Sequence, residues 1–457
     1  MKSSPLFRFV KETGVDPVTG RCHRQGTMGC PPLASASRLV QCVPRFPAAE
    51  GRGRGNRPRY RVRLWSVSLA VMLGALPAVV PAFDFSGVQV HGFATQGLFH
   101  TSQNRVFGDS QGGVSPDFTE LGLNGSWSPL PKLRLSLQVL SRRAGAGQEG
   151  VPQVDFGLLD YSPIDTEDYR FGFRLGRVRL PYGLYNDTRD VAFTRPSVLL
   201  PQSIYPERTR DYTLSADGGA LYGELRGGFG SLLAEFVTAI PRSDDRTTEL
   251  AILGRSFHGR LDADPVLMGR LSYESPEGHL RLALTAVDAS TRYCPLPGES
   301  PALRRATDVF TPWVFSAQYQ TENWTFTSEY SIRPVRKNGF GPLFDFDLMG
   351  EGYYFQAAYR FAPKWEAMFR YDALYYNRDD AYGDRLEAAT GGVVPAHSQF
   401  AQDWTVGLRY DITPSIMTRA EYHAITGTAW LPQLDNLDAA ATHKRWDMFA
   451  VIVSFRF

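Results

Sequence analysis

Charged side chains of both signs alternate along one long stretch of the chain, between Arg179 and Asp217. Guanidinium groups and carboxylates held across a narrow aqueous gap create a transverse electric field, which orients polar solutes and excludes apolar ones. A solvated loop with surface ion pairs, each worth about 0–1 kcal/mol, is the alternative. The residues that we predict for such a constriction are Arg170, Arg174, Arg179, Asp187, Arg189, Asp190, Arg195, Glu207, Arg208, Arg210 and Asp211.

Residues of catalytic type are present, but they do not form a recognisable site. The histidines are dispersed without the i, i+4 spacing of metal ligands, and no G-x-S-x-G, P-loop or dinucleotide-binding motif occurs. His423 lies on the same strand face as Glu421, which suits a polar residue of an enclosed interior better than a general base. We therefore predict no catalytic residue, no metal site and no cofactor, and a protein that is not an enzyme.

The elements that would position the charges are strands, because apolar and polar residues alternate with a period of two along most of the chain. Leu133, Leu135, Leu137 and Val139 share one face, while arginine, serine and glutamine between them share the other. The pattern recurs at 169–175, 353–361, 365–372 and 404–411.

The two faces of these strands differ more sharply than those of a soluble β-sandwich. One face is aromatic and aliphatic and the other carries full charges, which is the contrast that a transmembrane barrel requires between lipid and an aqueous interior. Short turns alternate with long loops rich in Gly, Asp and Pro, as in outer-membrane barrels. We predict an all-β protein, a transmembrane antiparallel β-barrel of sixteen strands, with 14 and 18 as the open alternatives.

A further set of arginines lies beside the short turns and faces inward by strand parity. These residues would form a basic girdle inside one mouth of the barrel, and they are Arg134, Arg226, Arg281, Arg360 and Arg456. The girdle favours anions in the lumen, or its arginines pair with inward carboxylates as struts that hold the wall round. The sequence leaves both alternatives open.

The first 82 residues differ from the rest of the chain. They carry a net charge of +10 and the remainder carries −8, so the pI of about 8.3 does not indicate a nucleic-acid surface. The basic stretch 57–63, the apolar run 64–76 and small residues up to Ala82 are typical of a secretory signal peptide. We predict a spurious or disordered extension at 1–58, a signal peptide at 59–82 and the barrel at 83–457.

The last strand ends in an aromatic residue, Phe457, after outward Phe449, Val451, Val453 and Phe455. This ending resembles the insertion signal that the barrel-assembly machinery reads in bacterial outer-membrane proteins. Together with sixteen strands and a long third loop, it makes the chain resemble the bacterial 16-stranded porins. The run 175–184, with Gly176, Pro181, Tyr182 and Gly183, is similar to a strand end of the phosphate-selective porin-like group. The barrel region departs from that group in having few lysines, which are Lys132, Lys337, Lys364 and Lys444.

The resemblance implies a location, partners and a function. It implies the outer membrane of a Gram-negative bacterium, contact with lipid and lipopolysaccharide, a homotrimer, and a loop 179–217 that folds into the lumen. We expect a passive diffusion channel for small hydrophilic solutes, anions among them, and no nucleic-acid partner. An outer-membrane hydrolase barrel and a structural or adhesive barrel without transport are the alternatives.

Overall fold

The structure is a computed structural model that describes residues 84–85, 87–254, 257–300, 303, 306–341 and 345–457. The predicted extension at 1–58 and the predicted signal peptide at 59–82 lie outside the described residues. Within the described part of the chain, no helix combines the length and the apolar character that traversing a bilayer would require.

Among the described residues, sixteen strands form a closed antiparallel barrel, so the predicted fold class and strand number are confirmed. The strands are β1 (Val88–Thr101), β2 (Ser115–Leu130), β3 (Leu133–Ala144), β4 (Gln153–Asp165), β5 (Tyr169–Arg179), β6 (Ser215–Gly227), β7 (Gly230–Pro241), β8 (Val266–Glu274), β9 (Leu280–Cys294), β10 (Trp313–Gln320), β11 (Trp324–Asn338), β12 (Phe346–Ala362), β13 (Trp365–Tyr375), β14 (Phe400–Thr413), β15 (Ile416–Gly427) and β16 (Arg445–Arg456). Short strand pieces extend the ladders at Asp84–Phe85, Gln148–Glu149, Arg260–Ala263 and Thr307–Phe310.

The barrel closes between its first and last strands. β16 pairs antiparallel with β1, from Phe93 opposite Arg456 to Thr101 opposite Met448. The ladder continues to the last residue, since Phe457 N donates to Gly92 O at 3.0 Å and Gly92 N donates to Phe457 O at 3.2 Å. Closure leaves no unpaired strand edge, which is why a sheet of this kind can face hydrocarbon.

Apolar side chains cover the outside of the wall, and polar ones face inward. Leu137, Phe171 and Phe355 point outward and are 49%, 43% and 60% exposed. Gln138 and Arg370, on the opposite faces of their strands, are only 3% and 1% exposed. This distribution is the reverse of that in a soluble protein, and it follows directly from the period-two alternation.

The connections at the two ends of the barrel differ in length. Tight turns occur at 131–132, 228–229, 363–364 and 414–415, and the long connections include 102–114, 180–214, 376–399 and 428–444. The α-helices of the described residues lie in the long connections, and they are α1 (Arg210–Leu214), α2 (Arg246–Leu253) and α3 (Asp384–Ala389). Short 3₁₀ turns occur at Asn186–Thr188, Glu207–Thr209, Arg378–Asp380, Ala396–Ser398 and Ala439–Ala441.

The apolar core lies inside the barrel, between the wall and residues 180–214. Val198 belongs to one buried cluster with Met417 of β15. Ile204 belongs to a second buried cluster with Val314 of β10 and Tyr354 of β12. Burial of these side chains therefore holds residues 180–214 against two different regions of the inner wall.

Gly176 provides a test of the strand geometry at the entry to residues 180–214. It has a φ of +120°, and an added Cβ would lie 2.4 Å from the carbonyl oxygen of Gly157 on β4. We expect Gly176→Ala to lower the free energy of unfolding by about 2 kcal/mol, because the conformation is strained for any residue with a Cβ. Urea unfolding of the detergent-refolded barrel, followed by tryptophan fluorescence, measures this loss.

Gly223→Ala on β6 is the matched control. An added Cβ there meets its nearest atom, on Phe171, only at 4.0 Å, so its unfolding curve should stay close to that of the unmodified protein. Equal losses in the two variants would show that the backbone at Gly176 is not constrained.

Candidate functional site

The connection between β5 and β6, residues 180–214, contacts inward-facing side chains on many strands of the barrel, and we call it the long segment. It is shorter than the expected 179–217 because Arg179 and Ser215 still pair in the β5–β6 ladder. Most of its residues between 185 and 205 are buried. Besides the apolar clusters described above, its polar contacts with the wall are of two kinds, hydrogen bonds of its backbone and ion pairs of its side chains.

Inward carboxylates of the wall accept hydrogen bonds from the backbone of the long segment. Val198 N donates to Glu421 Oε1 on β15 at 2.6 Å. Gln202 N donates to Asp372 Oδ2 on β13 at 2.7 Å. A carboxylate that receives peptide N–H groups in a buried site satisfies donors that would otherwise remain unpaired at high cost.

Inward arginines bind the carbonyl groups of the same stretch. Arg370 Nη1 donates to Leu199 O at 3.0 Å, and Arg419 Nη1 donates to Arg195 O at 2.8 Å. Arg333 of β11 donates from Nη1 to Ser203 O at 2.7 Å. The irregular backbone around residues 195–203, which consists mainly of bends and turns, is thus held by side chains instead of by a neighbouring strand.

A set of charged residues from the long segment and from β2–β5, together with the uncharged Gln138, forms a second group of contacts, which we call the charge cluster. Its members share hydrogen bonds or ion pairs, and they are Glu120, Gln138, Arg142, Asp155, Arg179, Arg189, Asp190, Arg195, Glu207 and Arg210.

Glu120 of β2 is the centre of one half of the charge cluster. Its carboxylate is completely buried and lies 2.9 Å from Arg142 Nε and 2.9 Å from Arg195 Nη2. Arg142 also contacts Glu207 of the long segment, at 2.7 Å, and Arg189 contacts the same carboxylate at 3.0 Å. Along this chain of contacts, positive and negative side chains therefore alternate, and they come from both the wall and the long segment.

Asp190 of the long segment is the centre of the other half. It accepts hydrogen bonds from Arg179 and Arg210, and Gln138 Nε2 lies 3.3 Å from its Oδ2. Arg179 also donates to Asp155 of β4. Because Arg210 and Asp190 are each about 1% exposed in their side chains, this pair is shielded from solvent.

The charge cluster is nearly balanced but retains one positive charge. It contains five arginines and four carboxylates. Burial would raise the pKa of the Glu207 carboxyl, but the positive charges of Arg142 and Arg189 outweigh this effect and hold the pKa below its usual value. Glu207 therefore carries a negative charge at neutral pH.

The remaining residues of the predicted constriction lie outside the charge cluster. Arg174 contacts Asp160 at 3.1 Å and Glu235 at 3.5 Å on the wall, and Arg170 lies nearer the short turns, 4.0 Å from Asp165. Asp187 pairs with Arg270 of β8 at 2.8 Å, and Asp211 accepts from Gln148 at 2.9 Å. Arg208 donates to Tyr376 Oη at 2.6 Å and to Ala429 O.

The predicted girdle residues divide into two groups. Arg226, Arg281 and Arg360 have carboxylates nearby, such as Glu366, which lies 2.9 Å from Arg360 Nη2. Arg134 and Arg456 have no carboxylate within 4.0 Å among the described residues. Arg134 donates to Ser126 Oγ at 2.9 Å, and the Arg456 guanidinium lies 4.2 Å from the ring centre of Phe193.

Several wall partners of the charge cluster were not among the residues predicted for the site. Glu120 and Arg142 face inward, and their positions between outward residues such as Leu121 and Ser141 could have indicated this. Asp155 lies where the β3–β4 register shifts at Gln138 and Val139, so simple alternation does not predict its direction.

His423 is also buried in a polar contact network, as its parity with Glu421 predicted. Its Nδ1 lies 2.8 Å from Asp403 Oδ2, and its Nε2 lies 3.4 Å from Glu421 Oε2. The side chain is about 1% exposed, so no substrate reaches it in this arrangement. Within the described residues, no group of His, Cys, Asp and Glu side chains is arranged to hold a metal ion.

The closed barrel with these inward charges has the fold of the 16-stranded porins. An anion-selective porin from Comamonas acidovorans aligns with a TM-score of 0.51 and 11% sequence identity, over 81% of this chain and 99% of that chain. The outer-membrane expressed OmpT of Vibrio cholerae aligns with a TM-score of 0.49 and 11% identity, over 82% and 100% of the two chains. Salmonella typhi OmpF aligns with a TM-score of 0.47 and 13% identity, over 81% and 98%. No family model and no curated protein matches the chain.

Glu120 provides a test of the charge cluster. We expect Glu120→Gln to lower the free energy of unfolding by about 3 kcal/mol, because it leaves Arg142 and Arg195 buried without their shared counter-charge. Urea unfolding of the refolded protein measures the loss.

Asp347→Asn is the matched control, since Asp347 pairs with Arg336 but both side chains are more than 60% exposed. Its loss should be less than about 1 kcal/mol. Equal effects of the two substitutions would contradict a stabilising role of the buried pairs.

Proposed function

We propose that this protein is an outer-membrane porin, a passive diffusion channel for small hydrophilic solutes. The observation that carries the proposal is the long segment, which lies inside a closed barrel and brings ionised side chains against an inward polar wall. A barrel with an apolar outer face and a charged interior suits a water-filled path through lipid. The porin fold supports the same class of function.

In this proposal the long segment is the constriction, and solutes pass between it and the wall. Thr188 and Thr194 are exposed residues of the segment, and Asp187 beside them is half-buried against Arg270. Side chains of this kind present hydroxyl groups and charges to a solute that has lost part of its hydration shell. The buried charge cluster keeps the segment in position while the exposed residues line the path.

Anions are the preferred ions in this proposal. The charge cluster has one more arginine than carboxylate, and Arg134 and Arg456 add positive charge near the short turns. The paired girdle residues Arg226, Arg281 and Arg360 serve mainly as struts, because nearby carboxylates neutralise them. The selectivity of the Comamonas acidovorans porin is a property of that protein and fits the same expectation.

The location and partners follow from the proposed function. The chain carries a signal peptide at 59–82, after an extension at 1–58 that is not part of the mature product. It resides in the outer membrane of a Gram-negative bacterium, contacts lipid and lipopolysaccharide, and assembles as a homotrimer. Phe457, whose backbone pairs with Gly92 at the barrel seam, is the residue that the barrel-assembly machinery recognises in this proposal.

Single-channel recording in a planar lipid bilayer tests the channel. The unmodified protein should give discrete conductance steps, and Thr188→Cys labelled with a charged methanethiosulfonate reagent should give smaller steps, because the label narrows the path. Leu271→Cys, at an outward position that is 47% exposed, is the control and should be unaffected by the reagent.

A protein without conductance steps would contradict the channel and favour a structural or adhesive barrel. Lipid hydrolysis by the purified protein would favour the hydrolase alternative instead. Equal responses of the two cysteine variants would contradict the proposed position of the constriction.

Reversal potentials under a salt gradient test the anion preference. The double variant Arg134→Gln/Arg456→Gln should move the reversal potential toward that of a non-selective pore, because two uncompensated positive charges are lost. The double variant Arg134→Lys/Arg456→Lys keeps the charges and should retain the preference. A cation preference of the unmodified protein would overturn the selectivity proposal.

A further inference from the structure

A group of basic side chains lies at the long-loop end of β14, β15 and β16. They come from the connections that precede β14 and β16 and from the first residue of β16, and they are His397, His443, Lys444 and Arg445. His397 is partly exposed and the other three are exposed. We call this group the basic patch.

The members of the basic patch lie close together on the outside of the barrel. His397 Nε2 lies 2.9 Å from Oγ1 of Thr442, the residue before His443. Burial lowers the pKa of His397, and Lys444 and His443 nearby act in the same direction. Lys444 Nζ lies 5.6 Å from the ring centre of Phe400, which has the same strand parity as the outward residues of β14. The connections before β14 and β16 therefore bring these basic groups to one surface.

The two permanent charges of the basic patch differ from other outward charges at this end of the barrel. Among the described residues, no carboxylate lies within 4.0 Å of the charged nitrogen atoms of Lys444 or Arg445. Other outward arginines at this end pair with aspartates, and the pairs are Arg143–Asp117, Arg292–Asp264 and Arg336–Asp347. The basic patch thus offers cationic donors that are both exposed and free of an ion pair.

Two carboxylates lie near the basic patch, and each accepts a hydrogen bond from another group of the protein. Asp447 Oδ1 accepts from Tyr422 Oη at 2.8 Å. Glu387 Oε1 accepts from the backbone N–H of Ala396 at 3.2 Å. An anion at the basic patch would therefore meet positive charge directly and these negative charges only from a distance.

An apolar surface continues from the basic patch along the outside of β16. The outward residues from Phe449 to Phe455 are all phenylalanine or valine. Phe449 is 48% exposed and Val453 is 43% exposed. A partner of this surface must therefore combine an anionic end with a long apolar part.

The strand register places the basic patch at the level of lipid headgroups. Trp404 of β14 pairs with Ala424, which pairs with Asp447 of β16, so the three residues share one level. Trp404 is 51% exposed on the outside, and outward tryptophan is typical of the membrane–water interface. Arg445 lies two residues beyond Asp447 toward the long loops, which is just outside that aromatic level.

We propose that the basic patch binds the phosphate groups of lipid A, the phosphorylated glycolipid part of lipopolysaccharide, while its acyl chains lie along the outward side chains of β16. Guanidinium and ammonium groups form charge-assisted hydrogen bonds with phosphate oxygens. A free phosphate ion would use the charges alone and leave the adjoining apolar surface uncovered. The inference rests on the proposed outer-membrane location, and it names the residues that hold this lipid.

Native mass spectrometry of the full-length protein in a non-ionic detergent tests the proposal without requiring conductance. The probes are bisphosphorylated lipid A, monophosphorylated lipid A and phosphatidylethanolamine, and EDTA keeps divalent cations from bridging the lipid to loop carboxylates. We expect bisphosphorylated lipid A to bind at least about tenfold more tightly than phosphatidylethanolamine, with the monophosphorylated form between them. Inorganic phosphate in about hundredfold excess should not displace lipid A, because it makes no apolar contact.

Lys444→Gln/Arg445→Gln is the informative double variant. It should weaken the binding of bisphosphorylated lipid A about tenfold and leave the binding of phosphatidylethanolamine unchanged, because two cationic donors are lost. Lys444→Arg/Arg445→Lys keeps both charges and should bind like the unmodified protein. Arg292→Gln/Arg336→Gln is the matched control: it removes two exposed outward charges that already have aspartate partners, so its effect should be less than about twofold.

Equal affinity for lipid A and phosphatidylethanolamine would overturn the proposal, and so would equal effects of the two glutamine double variants. Displacement of lipid A by inorganic phosphate would show a site for a free anion instead. Lipid A binding by a protein that conducts no ions would support the basic patch while contradicting the channel. Conductance steps without lipid A binding would do the reverse, so the two failures are distinguishable.

Discussion

The whole structure depends on one requirement: peptide groups that are shielded from water must find partners within the protein. The wall meets the requirement by closing, because the ladder between β1 and β16 leaves no strand without a neighbour. The long segment lies inside and cannot join this ladder. Its backbone is paired instead by inward side chains, notably Glu421, Asp372 and Arg370, which act in place of adjacent strands.

This requirement explains why so many charges face the interior. An arginine or carboxylate there does two things: it binds a peptide group of the long segment, and it pairs with a neighbour of opposite sign. Glu120 shows the second role, since it joins Arg142 of the wall to Arg195 of the segment. Replacing such a pair by well-packed apolar residues often costs little stability, so buried ion pairs are weak evidence for stability alone. In this protein the role of the buried ion pairs is to fix the position of the long segment.

Much of the fold could be predicted from the sequence because a β-strand has a strict period. Leu133 to Val139 on one face and Arg134 to Gln138 on the other determine which side meets the interior, and sixteen such stretches give the number of strands. The sequence also singled out Arg189, Asp190, Arg195, Glu207 and Arg210, which the structure brings together. The alternation of inward and outward residues cannot identify the partners of these side chains. Those contacts depend on the path of the long segment inside the barrel.

The register shift near Gln138 shows a second limit of the sequence pattern. A bulge moves Asp155 to the inward face, where it meets Arg179, and nothing in the alternation of β4 indicates this. The sequence pattern likewise does not predict which girdle residues have a carboxylate partner. Whether Arg360 meets Glu366, or Arg456 meets the ring of Phe193, depends on neighbours that the sequence does not place side by side.

The hydrogen bonds of the long segment also bear on the order in which the chain acquires its structure. Val198 and Glu421 are separated by 223 residues, and Arg195 and Arg419 by 224. Contacts between residues so far apart form late, because the entropy of closing the intervening loop must be overcome first. The nascent chain therefore carries the apolar stretch around Val198 to Ile204 without its docking partners until the final strands have been synthesised. During that interval the stretch is an exposed apolar surface, and such surfaces are prone to aggregation until they are docked.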